Sequence, residues 1–234
     1  MIDNPMIKIE TIDSIPVQLD SENILKKLHL DRKKGKENDI HELVELAKSL
    51  ITPRAIYGIA YISDKGKDTV SVGNTTFTSP ILRNFSTSIG RLFPYVLTIG
   101  KELEDRSKSM KLLHQYCLEE IGNIALRTAR KYLEDYLKSE YKIIHLSSMS
   151  PGRLTDWPIT EQKLLFSLFG DVEGLLGVSL SNSMMMIPRK SVSGVYFPTE
   201  FHFESCQLCP RERCEDRKAP YNDELAKSYS SSAA

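Results

Sequence analysis

The sequence predicts an α+β domain, and three observations lead there. Residues 40–51 and 110–139 carry apolar side chains at helical spacing. Residues 55–63 and 68–77 carry β-branched and aromatic strand patterns around a Lys-Gly turn. Strands and helices do not alternate strictly along the chain, as a doubly wound parallel sheet requires. At 234 residues the chain fits one domain with small appendages.

The elements follow in order. Residues 1–37 hold a strand-like start and a helix near Ser21 to Leu28, an N-terminal extension. Ile40, Leu43, Val44, Ala47, Leu50 and Ile51 then share one helical face, with Asp39 as its expected cap and Pro53 as its stop. The two strands at 55–63 and 68–77 flank Asp64-Lys65-Gly66-Lys67. Ser79 is placed to cap a helix with Pro80 at its first position. Tyr95 to Ile99 is a β-branched strand closed by Gly100. The longest helix spans 110–139, where Gly122 interrupts a broad apolar face and leaves room for a neighbouring element. A strand at 142–146, a loop at 147–158, a helix at Thr160 to Phe169 and strands over 176–203 around Pro188 complete the domain at 38–203. A cysteine-rich segment follows at 204–223, and the tail 224–234, ending SYSSSAA, has the composition of a disordered terminus.

Charge and motifs exclude several function classes. Lys plus Arg and Asp plus Glu are 31 each, so a zero net charge gives no electrostatic case for nucleic acid. The basic run Arg32, Lys33, Lys34, Gly35, Lys36 reads as a solvated loop. No apolar stretch reaches membrane-span length and the start lacks the shape of a signal peptide, so a cytoplasmic location is expected. The five histidines, His29, His41, His114, His145 and His202, are scattered, and nothing nominates a nucleophile with its base. No catalytic residue is assigned.

Two loops carry the chemistry that remains. In Ser150-Pro151-Gly152-Arg153, Gly152 permits close backbone approach to a ligand and Pro151 fixes its path, while Trp157 offers a flat face for a purine or macrocycle. A structural turn before a helix explains the same residues. In the second loop, Ser191, Ser193 and the Gly194 backbone could hydrogen-bond a polar ligand, and Arg189 and Lys190 could meet a carboxylate or phosphate. An exposed hairpin of alternating polarity is the structural alternative.

SPGRLTDWPITEQKLLFSLF followed by GVSLSNSMMMIPRKSVSGVYF resembles the activation domain of cobalamin-dependent methionine synthase. That family has an Ala-Pro-Gly-Tyr-type loop, a helix and a Ser-Val-Ser-Gly-x-Tyr-Phe strand in this order. FTSPILRNF, YVLTIGKELE and the helix containing EEIGNIA look like its short, single-domain members, so the resemblance covers roughly residues 45–203. It implies a twisted, mainly antiparallel sheet flanked by helices. It also implies S-adenosylmethionine bound by Ser150, Pro151 and Gly152, with the Ser191–Tyr196 stretch, including Tyr196, lining the same cleft. The implied activity is reductive remethylation of a cob(II)alamin, with one electron from a separate donor. The chain lacks an Asp-x-His-x-x-Gly motif, so the cobalamin would belong to a partner, a corrinoid methyltransferase or a methionine synthase without its own activation domain. Two positions depart from the family loop. Ser148 stands where the family has Arg, and Arg153 where it has Tyr. Arg153 is the candidate to supply the missing cation. A non-catalytic docking or chaperone subunit with a decayed site is the alternative function.

Cys206, Cys209 and Cys214 lie beyond the matched stretch at a spacing that suits an iron–sulfur cluster or zinc, with His202 or Cys117 as the fourth ligand. Unligated thiols in a polar tail are the plain alternative.

Overall fold

The computed structural model describes residues 7–28, 37–87, 89–200, 203–214 and 217–230. The basic run at 32–36, His29 and His202 lie outside them. Strand β1 (Ile7–Ile12) leads into helix α1 (Ser21–Lys27), capped by Asp20, whose carboxylate accepts from the Glu22 amide at 3.0 Å. Helix α2 (Glu37–Leu50) begins three residues before Ile40, its expected start, so Asp39 sits inside its first turn rather than at the cap.

Strand β2 (Arg54–Lys65) organises the sheet. One edge pairs with β1 along Ala55–Ala60 and then, from Ile62 on, with β3 (Thr69–Val72), across a register shift between Ile62 and Asp64. Residues 68–77, read as one strand, form β3 and β4 (Thr75–Thr78). The break falls at Gly73, whose φ of 58° supplies the left-handed backbone that a tight hairpin needs. Helix α3 (Pro80–Phe85) starts as expected, with Ser79 Oγ accepting from the Leu82 amide at 3.1 Å.

Strand β5 (Arg91–Thr98) covers the other edge of β2, followed by α4 (Glu102–Ser107) and the 29-residue α5 (Leu112–Glu140). The strand expected at 142–146 is β6 (Leu146–Met149) instead, because the chain first turns out of α5 through Lys142 at φ 53°. A 3-10 turn and α6 (Gln162–Ser167), α7 (Val172–Leu176), the short hairpin β7 (Ser179–Leu180) and β8 (Met186–Ile187), and β9 (Ser191–Pro198) follow. Among the described residues the seven-stranded sheet runs β4-β3-β2-β5-β9-β6, with β1 also on β2, and every pair is antiparallel. Helix α8 (Asp223–Ser230) occupies a stretch whose composition reads as an unstructured tail.

Alternation along the strands gives the sheet two buried faces. Ala55, Tyr57, Phe93, Tyr95, Leu97 and Tyr196 pack on the Ala129–Leu133–Leu137 stripe of α5. Ile56, Ala60, Leu92, Val96, Val195 and Phe197 face α3, α6 and α7. The first half of α5 packs separately on α1, α2 and α4. Gly122 has the role expected of it. A Cβ there would meet Leu103 and Lys190 side-chain carbons at 3.2 Å.

Candidate functional site

The two loops singled out by sequence meet at the free edge of the sheet. Strand β6 pairs with β9 so that Ser148 lies opposite Tyr196 and Met149 opposite Val195. The chain then leaves the sheet through Ser150 and Pro151, and Ser150 Oγ donates to the Ser193 carbonyl at 2.7 Å. Gly152 has a φ of 77° and packs on Ile159, where a Cβ would come within 2.7 Å of Cδ1. Its amide donates to the Trp157 carbonyl at 2.7 Å, closing the turn. Gly194 is crowded as well. A Cβ there would lie 2.5 Å from both the Met149 carbonyl oxygen and Ser150 Oγ.

Close backbone approach at Gly152 and Gly194 is therefore real, but the group approaching is the chain itself. Loop and strand touch each other here; they are not the walls of a cleft. Side-chain alternation corrects a second expectation. Tyr196 belongs to the face packed on α5, and Val195 and Phe197 to the opposite face. Ser191 and Ser193, in step with Val195, share that opposite face and not the face of Gly194 and Tyr196. Ser191 Oγ is occupied locally, donating to the Pro188 carbonyl at 2.7 Å and lying 3.0 Å from Thr98 Oγ1.

Trp157 also departs from its expected role. It is 1% exposed and meets Phe77 edge to face at 5.8 Å, so its ring fills the core and presents no face to a ligand. Arg189 and Lys190 have acidic partners within the protein. Arg189 Nε donates to Glu104 at 3.1 Å, and this bond raises its pKa above the ordinary guanidinium value. Lys190 Nζ donates to Glu119 at 2.6 Å and to Asn123 at 2.5 Å. Arg153 lines an open groove of about 550 Å³ with Asp156, Leu208, Cys209 and Tyr221, on the side of the loop toward the C-terminal segment.

Sequence reasoning missed the polar cluster under the loop. Arg130 reaches from α5 and donates from Nη2 to Ser148 Oγ at 2.8 Å. Tyr196, 1% exposed, donates its hydroxyl to the Arg130 carbonyl at 3.4 Å and stacks on Tyr95 with ring centroids 4.6 Å apart. Burial pushes the Tyr196 phenol well above its ordinary pKa. The Tyr95 and Tyr196 phenols raise that of Arg130, against the opposing cost of burial. The available signal was a tyrosine, Tyr95, in an otherwise apolar strand.

The family comparison bears on this same region. Residues 113–218 match the activation domain of vitamin B12-dependent methionine synthase. The matched stretch runs from α5 through β6, the 150–153 loop and β9 into the cysteine segment, so it carries Arg130, Ser148 and Tyr196 of the cluster, whereas Tyr95 on β5 lies outside it. In three dimensions the chain is similar to the MetH reactivation domain solved with AdoHcy bound. The TM-score is 0.57 at 13% identity, covering 84% of this chain and 80% of that one. At that identity the likeness establishes the activation-domain fold, including the curled antiparallel sheet the sequence led us to expect. No curated protein matches the sequence.

The cysteine segment does not form the metal site expected of it. Among the described residues no three His, Cys, Asp or Glu side chains converge as a ligand set. Cys206 is buried and accepts from the Lys218 amide at 3.4 Å, whereas Cys214 is exposed. Arg217 organises the segment instead. Its guanidinium donates to the carbonyls of Cys206 at 3.1 Å, Cys209 at 3.1 Å and Ala219 at 3.2 Å, and also to that of Arg211. Cys117 is buried inside α5. No helix among the described residues is long and apolar enough to cross a membrane.

Proposed function

We propose that this chain binds S-adenosylmethionine and supports the reductive remethylation of a cob(II)alamin held by a partner protein. The observation that carries the reading is the family match over 113–218. It takes in α5, the 150–153 loop and β9 as one assembled unit. The bound AdoHcy of the structurally similar reactivation domain supports the choice of ligand.

In the proposed reaction a one-electron donor reduces cob(II)alamin to cob(I)alamin. The cobalt then attacks the sulfonium methyl. A cobalt–carbon bond forms, the sulfur–carbon bond breaks, and S-adenosylhomocysteine leaves. No side chain of the cluster is placed to act as acid or base. The chain's share is to hold the methyl in line with cobalt, which lowers the entropic part of the barrier. The partner is most simply a methionine synthase without an activation domain of its own. By this reading the Ser150–Arg153 turn and the Gly194–Tyr196 strand border the ligand.

The direct test mixes the chain with candidate corrinoid partners in the cob(II)alamin state, S-adenosylmethionine and a low-potential reductant. The cob(II)alamin band should decay faster with the chain present. Equal rates across the partners would refute the reading. Closure of Ser150 on Ser193 favours a second reading, a docking subunit that binds the partner without S-adenosylmethionine. Calorimetry separates the two, since a docking subunit shows no heat with millimolar S-adenosylmethionine.

A further inference from the structure

Two cysteines of the C-terminal segment close one turn. Ser205–Leu208 is a 3-10 helix that contains Cys206, and Cys209 is its C-cap. The Cys209 amide donates to the Cys206 carbonyl at 3.2 Å. A turn of this kind keeps its end Cα atoms within about 7 Å, a separation that a disulfide spans. Arg217 braces the turn, donating to both cysteine carbonyls at 3.1 Å. The two thiols differ in access. Cys206 is 6% exposed, and its Sγ accepts from the Lys218 amide at 3.4 Å. Cys209 is half-buried and lines the open groove of about 550 Å³. An accessible thiol with a shielded neighbour across one Cys-x-x-Cys turn suits thiol–disulfide exchange, in which one sulfur attacks and the other resolves. Cys214 is exposed and lies outside the turn.

The groove fixes what can approach Cys209. Arg153 from the loop and Arg211 from the cysteine segment line it, and Asp156 is the one acid on its wall among the described residues. Guanidinium groups take carboxylates with paired hydrogen bonds. A surplus of positive charge beside the reacting sulfur also speeds the encounter with an anion.

We propose that Cys206 and Cys209 form a redox-active dithiol that exchanges with an anionic low-molecular-weight disulfide held in this groove. The Cys209 thiolate attacks one sulfur of the bound disulfide, whose S–S bond breaks, and one thiolate leaves. The Cys206 thiolate then attacks the Cys209 sulfur of the mixed disulfide. The Cys206–Cys209 bond forms and the second thiolate departs. The dithiol loses two electrons and two protons, and the small disulfide gains them as two thiols.

The test uses the full chain, reduced and kept from oxygen, mixed with oxidised glutathione, then alkylated and digested. Peptide mapping should place a new bond between Cys206 and Cys209. In a Cys214→Ser chain, which silences the exposed thiol, the same bond should form. Adding Cys206→Ser should halt the reaction at one glutathione on Cys209, and adding Cys209→Ser should leave the chain unreacted. Oxidised glutathione, an anion, should react several-fold faster than the cationic disulfide cystamine, each rate taken relative to that with free dithiothreitol. High salt and Arg211→Ala should both narrow that gap. A bond to Cys214, no bond at all, or equal relative rates for the two disulfides overturns the proposal. Zinc or iron bound stoichiometrically through all three thiols of the segment overturns it as well.

Discussion

Gly194→Ala measures how tightly the loop is seated on the sheet. The added Cβ would lie 2.5 Å from the Met149 carbonyl oxygen, and ordinary contact begins at 3.4 Å, so strand and loop must part by about 0.9 Å. The obstacle is a backbone atom held by the β6–β9 pairing, which no rotamer change can move. Overpacking of this kind costs roughly 1–3 kcal/mol, and the rigid neighbour places Gly194→Ala toward about 2–3 kcal/mol. For a chain of this size that lowers the melting temperature by roughly 4–12 °C. Gly90→Ala is the internal control, since nothing lies within 4 Å of its added methyl and its φ is not positive. It should be neutral or gain about 0.4–1 kcal/mol from a stiffer unfolded chain. Urea and thermal unfolding of both variants decide the matter. If Gly194→Ala melts with Gly90→Ala, the loop does not lie where the geometry puts it.

Two further outcomes follow from other parts of the molecule. Burial, then the hydrogen bond with Tyr141, holds the Tyr57 phenol well above its ordinary value of 10.0. Below that pH folded and unfolded chains both keep the proton; above it the unfolded chain releases it first, so stability falls as pH rises. Tyr57→Phe should make this fall shallower above roughly pH 10, and parallel curves of urea midpoint against pH would argue against it. Arg217→Ala strips the shared donor from four carbonyls of the cysteine segment. Limited proteolysis should then cut between 206 and 219 several-fold faster with the main melting transition little changed. Protection restored by zinc would show that a metal, and not Arg217, is the natural organiser.

Local signals were legible where one residue decides the outcome. Ser79-Pro80 fixed a helix start, and the small Gly122 marked the approach of Lys190 and Leu103. The errors came from neighbours distant in sequence or from turns hidden inside strand-like composition. The Gly73-Asn74 pair split one expected strand into two. Trp157 looked like a ligand platform because a lone tryptophan in a Gly-Pro loop gives no hint of Phe77, 80 positions earlier. Arg130 was passed over because it lies just off the apolar stripe of α5, where arginines are ordinarily solvated. Its part is set by Ser148 and by the tyrosines of β5 and β9, which only the fold brings together.

Strand alternation also limits how any ligand can use β9. Side chains one residue apart lie on opposite sides of the sheet, so the Ser-Val-Ser-Gly-x-Tyr pattern cannot act as a single row of contacts. One row, Ser191 and Ser193, belongs to the α3, α6 and α7 side, where Ser191 is already bonded to Pro188 and Thr98. The other row, Gly194 and Tyr196, belongs to the α5 side, where the Arg130 guanidinium meets Ser148 Oγ and the Tyr95 and Tyr196 phenols. A polar ligand finds the Arg130 cation on the second side. The serines then serve it indirectly, through Ser191 fixing the start of β9 and the Ser193 carbonyl anchoring Ser150. Replacing Ser193 by alanine would keep that carbonyl and should leave ligand affinity nearly unchanged, whereas Ser150→Ala breaks the anchor and should not. Equal losses in the two variants, measured with S-adenosylhomocysteine, would put the ligand on the serine side and overturn the assignment of faces.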